Sequence, residues 1–134
     1  MEKIFNYFSM FWGFVIGVVI HVLGGADVML KTLITLIVLD YGTGVLKAIY
    51  HKKLNSTVGW KGIIKKVVML FVVAASVSLQ GIIQMPVREV IITFFICNEG
   101  ISLLENAGEL IPIPEQIKNA LEKIKDNNIS KLND

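Results

Sequence analysis

Hydrophobic and polar positions are segregated along this chain into long blocks. Four apolar runs stand out, residues 4–23, 29–49, 67–83 and 87–104, each apolar on most of its circumference. A run of about 20 such residues crosses a hydrocarbon core of roughly 30 Å. The pattern predicts an all-α membrane protein of about four transmembrane helices. Three is the fallback, because the fourth run is uninterrupted only from Val90 to Cys97. Gly24-Gly25-Ala26-Asp27 and Gln84-Met85-Pro86 read as tight connections. Pro86 suits the first turn of the next helix, and Ser56 or Thr57 is expected to cap the helix entering the third run. Beyond Pro112 and Pro114, Ile117, Leu121 and Ile124 recur at i, i+4, i+7 among Lys118, Glu122, Lys123 and Lys125. That spacing predicts a short amphipathic helix over residues 115–125, on the membrane or against a partner. Residues 126–134 read as a disordered polar tail. The expected organisation is a transmembrane helical domain, 1–111, followed by a cytoplasmic amphipathic helix and tail, 112–134.

Composition agrees with the pattern. Apolar residues make up 54% of the chain and charged residues 18%, with mean hydropathy +0.64. Soluble domains carry about 25% charged residues. Lys3 ahead of the first run also fits a signal peptide. There is no small-x-small cleavage pattern, however, and a second run follows at once, so a span is expected. The net charge of +2 says less than its placement. Lys47, Lys52, Lys53, Lys61, Lys65 and Lys66 crowd the connector between the second and third runs, which marks that side as cytoplasmic. Four spans then place both termini in the cytoplasm, where Lys3 and the lysines of the tail agree. Trp60 beside Lys61, Lys65 and Lys66 reads as an interfacial anchor. These lysines, next to two spans, suit anionic lipid rather than nucleic acid.

The membrane pattern is spoiled at a few positions, and those are the candidate functional residues. A carboxylate at bilayer depth costs roughly 2.5–3.5 kcal/mol on insertion scales. Asp40, Thr43 and Lys47 share one face of the second run, with Asp40 and Lys47 about 10 Å apart in rise, too far for a direct pair. In the fourth run Asn98, Ser102 and Glu105 line one edge, and Glu99, Ser102 and Asn106 line the adjacent one. Three readings stay open for these groups: interhelical bonds inside one chain, a water-filled lumen built by several chains, or a proton or ion relay. Small residues mark two packing faces, Gly13 with Gly17 and Ala74 with Ser78 and Gly81. Their spacing does not say whether the contact is within a chain or between chains. Enzymatic constellations are missing. Cys97 is the lone cysteine, His21 and His51 stand alone, and no metal spacing, nucleophile elbow or phosphate loop occurs. No enzyme activity, metal or cofactor is expected.

Three blocks give the chain a resemblance to a known family. They are Leu39-Asp40-Tyr41-Gly42-Thr43-Gly44 with Lys47-Ala48; Ser56 with Gly59, Gly62 and Lys65-Lys66; and Asn98-Glu99-Gly100-Ile101-Ser102-Leu103-Leu104-Glu105-Asn106-Ala107-Gly108 followed by Pro112-Ile113-Pro114. In this order, over roughly residues 33–114, they resemble the toxin-secretion/phage-lysis holins of Gram-positive bacteria and their phages. Ile111 stands where that family often has glycine. The resemblance implies a protein of the bacterial cytoplasmic membrane that forms homo-oligomers and opens large lesions. A cytosolic endolysin, or a secreted toxin, leaves through them without needing direct contact. It implies no catalytic residues. It also suggests a second start at Met10 as a timing device. Two other readings fit the residues alone: a small ion or proton channel using Asp40 and Glu99, and a non-pore assembly subunit of a secretion complex docking through residues 115–125.

Overall fold

The computed structural model describes residues 1–133, with side chains described for all of these except 128, 129 and 131–133. The chain forms α1 (Glu2–Val22), α2 (Val28–Tyr50), α3 (Ser56–Ile83), α4 (Val87–Gly108) and α5 (Glu115–Asn133). The all-helical expectation holds across the described residues. Asp27 caps α2, its Oδ1 accepting the Leu30 N–H at 2.9 Å. Gln84 closes α3 in the left-handed region.

Two boundaries differ from expectation. Asn55, rather than Ser56 or Thr57, caps α3, accepting the Thr57 N–H at 2.8 Å. The helix therefore begins inside the polar connector, and Trp60, Lys61, Lys65 and Lys66 ride on its first turns. Helix α5 also runs past Lys125 through residues expected to be a disordered tail. Once the first turns are held in place, each further residue adds a backbone bond at little nucleation cost. Asp134 lies outside the described residues.

The packed centre is α4, which contacts α2, α3 and α5, while α2 also touches α3. Leu23, Leu30, Leu33, Val73 and Ile92 form the core, with Ile37, Met69, Phe95 and Ile96 against it. Helix α1 stands outside this bundle with no buried residue of its own, and the chain re-enters the core at Leu23 just beyond it. Phe5, Phe8, Phe11 and Phe14 on α1, Val38 on α2 and Phe71 on α3 are exposed. In a soluble protein this apolar area would be anomalous; here it is the surface that hydrocarbon covers. Helices α1, α2 and α3 are long and apolar enough to cross a membrane, which makes this a membrane-embedded protein. Helix α4, 22 residues long, is not one of these candidate spans. The count therefore matches the fallback of three, and the fourth run is the buried axis of the bundle.

Candidate functional site

The polar residues of the spans meet at one point. Asp40 on α2 is 6% exposed and Glu99 on α4 is 3% exposed. The Lys66 ammonium, from α3, donates to Asp40 Oδ2 and to Glu99 Oε2. Asn106 Nδ2 donates to Asp40 Oδ1 at 3.1 Å and to the Asp40 carbonyl at 3.3 Å. The Thr43 hydroxyl donates to that same carbonyl at 3.0 Å. Two carboxylates thus share one ammonium, with an amide on the far side of Asp40. Three helices are pinned together by charge at the depth where a lone charge is most costly.

These bonds all lie within one chain. They also correct the place of Lys66. Trp60, Lys61 and Lys65 are exposed on the first turns of α3, but Lys66 turns inward. Ten residues into a helix that starts at Ser56, it has travelled about 15 Å and reaches the level of Asp40. Lys47, which shares the Asp40 face by spacing, instead meets Glu109 at 3.3 Å, and His51 meets the same carboxylate at 2.9 Å. The Lys47 ammonium, with His51 adding to it, holds the exposed Glu109 carboxyl below the usual range. About half of the Glu109 side chain faces solvent, which screens the pair, so Glu109→Gln is expected to be close to neutral for folded stability, as a thermal melt in detergent checks.

A second polar centre sits at the opposite end. Arg88, 5% exposed, donates from Nε to the Leu23 carbonyl at 2.8 Å and from Nη2 to the Gly25 carbonyl at 3.3 Å. It grips Asp27 bidentately, Nη1 to Oδ2 at 2.7 Å and Nη2 to Oδ1 at 3.2 Å. Gly24 makes room for this. Its φ is +87°, and a Cβ there would lie 2.4 Å from Arg88 Nε. The Arg88 guanidinium and the Leu30 N–H hold the Asp27 carboxyl below the ordinary carboxylate range. The sequence pattern alone does not pair Arg88 with Asp27. The available signal was one arginine and one aspartate flanking two connections that must lie on the same side.

The outer edge of α4 is covered by α5. Lys118 meets Glu105 at 3.1 Å, and Lys125 Nζ donates to Asn98 Oδ1 at 3.4 Å and stands 5.9 Å from the Phe94 ring centre. Ser102 is half-buried between these two edges. The small-residue faces fare differently. Ala74 packs against the core, while Ser78 is exposed and Gly13, Gly17 and Gly81 have open space where a Cβ would go. The buried side of α3 is the Val73–Ser76 side instead.

The family model of the bacteriophage holin family matches residues 17–126 of the chain. An uncharacterized 14.9 kDa protein of the nagH 3′ region in Clostridium perfringens is 42% identical over 130 residues, covering 92% of this chain and 97% of the relative. An uncharacterized protein of Listeria monocytogenes is 34% identical, covering 90% of this chain and 86% of the relative. A probable holin of Bacillus phage phi105 is 30% identical over 105 residues, covering 76% of this chain and 78% of the phage protein. No solved structure matches.

Proposed function

The chain belongs to the bacteriophage holin family, a family of membrane pore-forming proteins rather than enzymes, and from that premise we propose that it oligomerises in the bacterial cytoplasmic membrane and opens lesions large enough to release a folded endolysin or toxin. The observation that carries the reading is the match over residues 17–126, which takes in all three polar blocks of the bundle. Contacts of α4 with both α2 and α3 support a fourth crossing, which puts the N-terminus and the start of α5 in the cytoplasm with the lysines of the α2–α3 connection.

Within this reading the polar residues divide by edge. Asp40, Thr43, Lys66, Glu99 and Asn106 hold the bundle closed within each chain. Asn98 and Glu105, on the outer edge of α4, hold α5 through Lys125 and Lys118, with Ser102 between them. Open Gly13, Gly17 and Gly81 offer close approach between helices of neighbouring copies, and Trp60, Lys61 and Lys65 hold α3 at the cytoplasmic interface.

The test is induced expression, alone and beside a cytosolic muralytic enzyme, with turbidity and a cytosolic reporter enzyme followed. The expected outcome is abrupt clearing only when both proteins are present, with reporter release at the same moment. Collapse of the membrane potential with the reporter retained would replace this reading with an ion channel centred on Asp40 and Glu99.

A further inference from the structure

Helix α5 lies antiparallel along α4. Lys118 meets Glu105, Leu121 rests on Gly100 and Lys125 reaches Asn98 and Phe94. The approach is close: a Cβ on Gly100 would stand 3.3 Å from Leu121 Cδ1. The depth of this contact is set independently. Asn98 and Gly100 flank Glu99, which is tied through Lys66 to Asp40 in the middle of α2. Both α2 and α3 are candidate spans. Phe94 lies six residues beyond Arg88, about 9 Å from the clamped turn at 1.5 Å per residue. A docked α5 therefore descends to the level of the hydrocarbon.

Ile117 and Ile124 are exposed along one border of α5, but the side facing away from α4 does not suit hydrocarbon. Glu115, Lys123 and Asp126 are exposed, and each charge facing lipid costs roughly 2.5–3.5 kcal/mol. A polar cleft lined by Lys47, Glu105, Asn106, Glu109 and Lys118 opens beside it. At the same level on α2, Val38 is exposed and apolar. We infer that the α4–α5 hairpin is the water-facing wall of the protein within the membrane, with α5 bordering an aqueous lumen. The inference rests on the lesion-forming reading and specifies which side of each subunit is wet.

Val38 is a half-turn from Asp40 and Lys123 a half-turn from Lys125, so labels at these positions probe one depth on two faces. Val38→Cys and Lys123→Cys, each in a Cys97→Ala background, are spin-labelled in lipid vesicles. Relaxation by oxygen is then compared with relaxation by a water-soluble nickel complex. The expected result is a reversal: oxygen dominates at Val38 and nickel at Lys123. Oxygen dominance at both positions, or nickel dominance at both, would overturn the inference. Gly100→Cys with Leu121→Cys, in the same background and vesicles, is expected to form an intrachain disulfide on oxidation, and its absence would also overturn it. Release of trapped dextran reports separately on lesion formation. No release with reversed labels sinks the lesion reading alone, whereas release with matching labels sinks the water-facing wall alone.

Discussion

Replacing Lys66 with methionine is expected to cost the folded bundle about 3–5 kcal/mol, the loss typical when one partner of a buried ion pair is removed. The reason is specific to this geometry. Lys66 is the ammonium that Asp40 and Glu99 share, and both carboxylates are almost fully buried. Without it two buried carboxylates face each other across α2 and α4 with no counter-charge. Neutralising all three groups, by Lys66→Met with Asp40→Asn and Glu99→Gln, should recover most of the loss, because no charge is then left unpaired. Unfolding by denaturant in detergent micelles measures both variants. A Lys66→Met protein as stable as the parent would show that water or lipid headgroups reach the triad. Failure of the triple variant to recover would show that packing, rather than charge, holds these helices.

The second large effect lies at the Arg88 clamp. Asp27→Asn keeps an N-cap of equal quality on α2 and removes only the charge. It is expected to cost about 1.5–3 kcal/mol, the range for hydrogen bonds to charged groups, because the buried guanidinium loses its counter-ion. Asp27→Ala adds the lost cap, a further 0.5–2 kcal/mol or about that. The pH dependence follows from the lowered Asp27 carboxyl. A carboxyl depressed on folding contributes its full stability above the ordinary carboxylate value, about 3.9. It loses that stability as pH falls through its own lower value. Acid melting curves of the parent should therefore steepen below about pH 4, and those of Asp27→Asn should lack that component. Parallel curves for the two proteins would remove the ion pair from the account. Half of the Asp27 side chain faces solvent, so the acid component is expected at the low end of its range.

These two centres show where sequence reading stops. Helix existence was legible because apolar runs of membrane length have few other solutions. The amphipathic spacing of Ile117, Leu121 and Ile124 announced α5, yet the docked side is the one bearing Lys118, Leu121 and Lys125, and Ile117 and Ile124 stay exposed. Periodicity finds an apolar stripe but does not know that Glu105 and Asn98 wait on the neighbouring helix. Likewise Gly13 and Gly17 have the spacing of a contact face, while the glycines that bring a neighbour closer than ordinary contact are Gly24 and Gly100.

By itself the sequence determined that this chain is helical and membrane-embedded, and it singled out Asp40, Glu99 and Asn106 as the groups that a bilayer would not tolerate alone. Only the tertiary structure decided their partners. Lys66 came from the edge of a run that read as an anchor, and Arg88 from the far end of the chain's turn. Periodicity is a local property of one helix, whereas the neutralisation of a buried charge depends on which helices are adjacent and how far each has slid along the other. In this bundle that choice is made by α4, the least hydrophobic of the four runs and the one that touches α2, α3 and α5.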